Sequence, residues 1–210
     1  MNSQIVRSRI KFLLLVIAAG VISTLIHELG HCIFYWFQGI PAAMSLVKEY
    51  PLVDITATQY AIGSVGGPLA NIALIIISYL VIRKYEKHTR VWNYLSALII
   101  ANSFYFVFRG LLALLKRSGG ELQDAASLIG LNYLFIVGLF FIIAITILAL
   151  WINRFSIRIS ATNGFSFVLF FIAYFIVLII MQVADESLFW HKFPTIQIDD
   201  GRLYNQKLRD

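Results

Sequence analysis

His27, Glu28 and His31 stand in the pattern H-E-x-x-H, within His27-Glu28-Leu29-Gly30-His31. On a helix, two histidines four residues apart project from one face and can grip a single metal ion. The glutamate between them is then placed to take a proton from a water that the metal activates. Soluble proteins use this arrangement for metal-dependent peptide hydrolysis. Here the flanking residues, 12–26 and 32–37, are almost entirely apolar. The expected site is a hydrolytic zinc centre at membrane depth, where a Glu between two His must be paired or face water.

Zinc in a catalytic site usually has three protein ligands and a fourth, open position. His88 lies in a basic loop and His191 in the polar tail, so an acidic residue is the better third ligand. The run Ser118-Gly119-Gly120-Glu121-Leu122-Gln123-Asp124-Ala125-Ala126 reads as a glycine turn entering a helix. Asp124 is the expected ligand, with Glu121 as the alternative. Gly66-Gly67-Pro68-Leu69-Ala70-Asn71 opens the second apolar stretch, and its glycines and proline are expected to break the helix beside a cavity. Asn71 is placed to bond a substrate backbone or an oxyanion. Asn71, Gly67, Pro68 and Asn102 form the expected substrate-binding set, while Arg109 is expected to snorkel.

These motifs need elements to hold them. Of 210 residues 60% are hydrophobic and 13% charged, and the mean hydropathy is +0.80. A soluble domain carries about 25% charged residues, so the composition points to an all-α, multi-pass membrane protein. Five stretches, roughly 12–37, 60–82, 92–115, 132–152 and 164–183, reach the about 20 apolar residues that a membrane-spanning helix needs. The first is too long for a signal-peptide core and is expected to be retained. Short β-strands are expected within 38–59, with Met44 to Val47 the best candidate for pairing with a substrate strand. A small hairpin is expected around Thr195-Ile196-Gln197-Ile198, Asp199-Asp200-Gly201 and Arg202-Leu203-Tyr204. The expected organisation is a catalytic core over 1–131, two accessory helices over 132–183 and a polar tail over 184–210.

The net charge of +6 resides in short loops, which fits orientation in a bilayer rather than nucleic-acid binding. Arg7, Arg9, Lys11, Arg83, Lys84, Lys87, Arg90, Arg154 and Arg158 fall on one side, against Lys48, Lys116 and Arg117 in the opposite short loops. This bias predicts an N-terminus inside. The lone Cys32 cannot form an internal disulfide. The pentad lies late in the first span, the Gly-Gly-Pro stretch early in the second, and Asp124 just beyond the third. All three therefore fall toward one membrane face.

Together, HELGH, GGPLAN on the next span, and an asparagine-bearing third span followed by an aspartate resemble the site-2 protease family of intramembrane zinc metalloproteases. The resemblance covers roughly residues 12–130, the family's three-helix core. It implies that His27, His31 and Asp124 bind zinc, that Glu28 is the general base, and that the substrate is a membrane-spanning helix unwound for cleavage. Two features depart from the pattern. The family's aspartate sits in a proline-containing L-D-G-type motif, where this chain has Gln123-Asp124-Ala125-Ala126. The family also often opens its site toward the cytosol, whereas the charge bias places this one near the outer face. The location expected is a membrane, most simply a bacterial cell membrane. The rival expectation is a non-proteolytic zinc-binding membrane protein, a transporter or regulatory subunit, on the same fold. A di-iron oxygenase would need several histidine boxes, which four histidines cannot supply.

Overall fold

The computed structural model describes residues 3–84, 89–116, 121–128, 130–155, 163–189 and 192–204. His88, His191 and the 118–120 turn lie outside the described residues, as does the side chain of Arg109. The chain is mostly helical: α1 (Ser3–Phe37), α2 (Ala57–Lys84), α3 (Thr89–Lys116), the short α4 (Glu121–Leu128), α5 (Tyr133–Phe155) and α6 (Asn163–Phe189). Between α1 and α2, strands β1 (Ala42–Met44) and β2 (Glu49–Pro51) form an antiparallel hairpin; β3 (Ile196–Gln197) and β4 (Leu203–Tyr204) form a second one after α6. Two segments, Ile17–Phe37 and Ala57–Lys84, are long and apolar enough to cross a membrane, and the apolar helices Tyr94–Phe108 and Tyr133–Ile147 are shorter.

Helix α1 packs against α2, α3 and α6, while α2 also meets α3 and α4; α5 closes on α3 and α4. The α1–α2 crossing is tight because glycine meets glycine. A Cβ on Gly30 would stand 2.5 Å from the Gly66 carbonyl oxygen, and a Cβ on Gly66 would strike the backbone of Gly30. Such contacts let two helical backbones touch, as small residues do between membrane helices. The Gly-Gly-Pro stretch therefore does not break α2, contrary to the expectation from local propensity. The helix continues from Ala57 to Lys84 with Pro68 buried inside it. A proline there removes one intrahelical hydrogen bond, a cost met by packing on α1.

The core between these helices is mostly apolar but holds several polar side chains, and the outer faces carry many large apolar ones. Ser23, Ser64, Asn71, Ser78, Ser96, Asn102 and Ser103 are buried, whereas Leu69, Ile76, Ile77, Leu80, Phe135, Ile142, Ile176, Ile180 and Val183 are exposed.

The loops at the pentad's end of the bundle are tied together by backbone and carboxylate bonds. Helix α1 stops at Gly39, whose φ of 74° suits the left-handed cap, and the Ile40 amide donates to the Tyr35 carbonyl at 3.0 Å. Thr56 and Gln59 make reciprocal bonds of 3.1 and 2.9 Å, a capping box that starts α2. The tail leans on this end: Ile198 bridges Ile55 in parallel, and the Asp199 carboxylate accepts from the Ala57 amide at 2.7 Å. Ile196 and Ile198 bury beside Tyr35, Ile40 and Ile55, giving the small hairpin an apolar footing. Residues 45–48 make the turn of the first hairpin, so of Met44 to Val47 only Met44 is in a strand. The Leu46 amide donates to Asp185 Oδ1 at 2.6 Å, and Asp185 is itself buried. Asp185→Ala would leave that amide unpaired, and we expect a loss of about 1–3 kcal/mol, read as a lowered Tm in detergent.

Candidate metal centre

One helical turn on α1 separates His27 from His31, and the two rings meet edge to face with centroids 4.7 Å apart. Both are buried, as is Glu28. Gly67 of α2 makes room for them: a Cβ there would stand 2.6 Å from His27 Nε2 and would also overlap His31 Nε2. The His31 ring is set by its other nitrogen. Nδ1 lies 2.8 Å from the Gly63 carbonyl oxygen, an acceptor only, so Nδ1 carries the hydrogen and Nε2 keeps its lone pair. The Gly67 amide also approaches Nδ1, at the longer distance of 3.2 Å, and cannot bond a nitrogen that is already a donor.

The acidic partner is Glu121, at the first position of α4. Its Oε2 lies 3.0 Å from His27 Nε2 and 3.7 Å from His31 Nε2, and the two Nε2 atoms are 3.1 Å apart. Three ligand atoms of a tetrahedral zinc, with bonds of about 2.0–2.1 Å, are separated by about 3.3 Å. The observed triangle brackets that value. An imidazole nitrogen has one hydrogen or one lone pair, yet His27 Nε2 has three polar neighbours, Glu121 Oε2, His31 Nε2 and the Tyr105 hydroxyl at 3.1 Å. His27, His31 and Glu121 are a group that could hold a metal ion, two imidazoles and a carboxylate being ligands common to several divalent metals.

Asp124, the ligand expected from sequence, is not brought to the histidines. Its Oδ1 accepts from Arg202 Nη1 at 3.4 Å. Burial holds the Asp124 carboxyl above its ordinary pKa, with Arg202 opposing the shift. The Arg202 guanidinium in turn lies 5.0 Å from the centroid of the Tyr60 ring. Asn102 is also elsewhere. Its Oδ1 accepts from Ser23 at 2.7 Å and its Nδ2 donates to the Leu98 carbonyl at 2.8 Å, so it fastens α3 to α1 one turn before His27. Asn71 is buried one turn beyond Gly67, and its Oδ1 has no hydrogen-bond partner among the described residues. Pro68 is buried beside Gly67 in α2.

Sequence reasoning missed two groups. A carboxylate oxygen of Glu49 on β2, one of Glu28 and a ring nitrogen of His31 lie within 4.8 Å of one another. Glu49 gives no sequence signal, because only the hairpin fold turns it inward. Tyr105 carries a faint one: it follows Asn102 by three residues and so shares its helix face. No family model, characterised protein or solved structure matches this chain significantly.

Proposed function

We propose that the chain is an intramembrane zinc metalloprotease that hydrolyses peptide bonds of membrane-spanning protein segments. In this reading α1, α2, α3, α5 and α6 are five spans in a cell membrane, most simply a bacterial one. The observation that carries the metal centre is the convergence of His27 Nε2, His31 Nε2 and Glu121 Oε2 at tetrahedral spacing. The bilayer reading rests on the two long apolar helices and the large apolar side chains exposed on the outer faces.

Zinc, when bound, polarises a carbonyl and makes water nucleophilic near neutral pH. Glu28, buried next to His31, accepts the water proton and passes it to the leaving amine. Gly63 and Gly67 hold the histidines, the first by accepting from His31 Nδ1 and the second by leaving space for both rings. Asn71 steadies the substrate or its developing oxyanion. A transmembrane helix has its amides in internal bonds and must be unwound before attack, and β1 is the strand placed to pair with the extended product of unwinding. The Leu46 amide already serves Asp185, which restricts pairing to residues before the hairpin turn.

Elemental analysis of the detergent-purified chain tests the centre. We expect one zinc per chain in the wild type and in Asp124→Ala, and an affinity lower by roughly 100-fold in Glu121→Ala. Chelation should stop cleavage of a peptide containing a transmembrane segment, and added zinc should restore it. Full zinc in Glu121→Ala would remove that residue from the centre. Cleavage that survives chelation would refute the metalloprotease reading. Zinc bound without any cleavage would favour a non-proteolytic zinc-binding membrane protein.

A further inference from the structure

The Tyr105 hydroxyl lies 3.1 Å from His27 Nε2 and 3.2 Å from Glu121 Oε2. These two distances fall within the range spanned by the three ligand atoms themselves, 3.0 to 3.7 Å. They also approach the about 3.3 Å edge of a tetrahedral zinc site. The hydroxyl donates to Glu121 Oε2 and also lies within hydrogen-bond distance of His27 Nε2, which faces Glu121 Oε2 and His31 Nε2 besides. The ring is held in place independently of any metal, with its centroid 4.8 Å from that of His27 and 5.5 Å from that of Phe106. Tyr105 is thus brought by α3 beside two of the three ligand atoms, His27 Nε2 and Glu121 Oε2, at the spacing those atoms keep among themselves.

Resting on the zinc centre proposed above, the geometry points to Tyr105 as its fourth ligand, which closes the resting site. The phenol gives its proton to solvent as its oxygen binds zinc, and takes a proton back when water or a peptide carbonyl displaces it. The ligand set at rest is His27, His31, Glu121 and Tyr105. Closed four-ligand sites bind metal without turning over, so opening by displacement of Tyr105 couples the start of hydrolysis to arrival of substrate. In the absence of substrate, the same closure withholds the metal from adventitious ligands.

Copper(II) substitution of the full-length chain in detergent reads the ligand directly. A bound tyrosinate gives an intense visible charge-transfer absorption, whereas imidazole and carboxylate ligands do not. The expected result is one copper per chain with this band, its loss in Tyr105→Phe, its persistence in Glu28→Gln, and a zinc affinity at least about 10-fold weaker in Tyr105→Phe. Stoichiometric copper without the band in the wild type overturns Tyr105 as a ligand while leaving the proposed function intact. The same holds if the band survives in Tyr105→Phe. A weaker zinc affinity without any wild-type band would reduce Tyr105 to a residue that positions Glu121 through its hydrogen bond. Failure of the wild type to bind zinc or copper at all overturns the metal centre, and Tyr105's role in it.

Discussion

Glu28→Gln is expected to keep one zinc per chain and to lose about 10²–10⁴-fold in hydrolysis rate. Glutamine preserves the shape of the side chain and its capacity to hydrogen-bond, but it cannot accept a proton at neutral pH. The carboxylate it replaces is buried and lies with Glu49 against His31. Neither His27 nor His31 loses a contact to Glu121 in this variant, and metal content serves as the control for folding. Cleavage of a transmembrane peptide in micelles, followed by mass of the products, measures the rate. A variant that holds zinc and still cleaves within about threefold of the wild type would remove Glu28 from the role of base.

Gly67→Ala is expected to act on the metal itself. Its new methyl would stand 2.6 Å from His27 Nε2 and closer still to His31 Nε2, within the space that the ligand atoms enclose. Neither ring can retreat freely, because His31 is held by the Gly63 carbonyl and both rings sit on the tightly crossed α1. Overpacking of this kind costs about 1–3 kcal/mol, which corresponds to roughly 5- to 150-fold in zinc affinity if it falls on the ligands. Competition with a chelator of known affinity measures it, with helical content as the control. Gly138→Ala is the matched comparison: its Cβ would meet no atom within 4 Å, and its zinc affinity should be unchanged. Unaltered zinc binding by a helical Gly67→Ala protein would contradict the placement of α2 against the histidines.

Much of this was legible from the chain before any packing was known. A four-residue interval places His27 and His31 on one helix face whatever surrounds them, because the helix turns about 100° per residue. The long apolar runs mark the five long helices to within a few residues at most ends, but α1 starts earlier, at Ser3, and α6 runs further, to Phe189. Asp199-Asp200-Gly201 marks the second hairpin, since its turn needs the left-handed backbone that Gly201 adopts at φ 89°.

The third acidic group was not decidable in this way. Glu121 and Asp124 stand three residues apart in one short helix, so their side chains point only about 60° apart and either satisfies a sequence pattern. The docking of α4 on α2 turns Glu121 to the histidines and leaves Asp124 to Arg202, 78 residues later in the chain. The course of α2 shows the same division. Gly-Gly-Pro read locally predicts a break, yet contact of Gly66 with Gly30 rewards an uninterrupted helix. Short-range spacing along the chain determines which atoms can share a face. Which of them meet at one point depends on how helices dock, through contacts between residues far apart in sequence, and only the tertiary structure decides that.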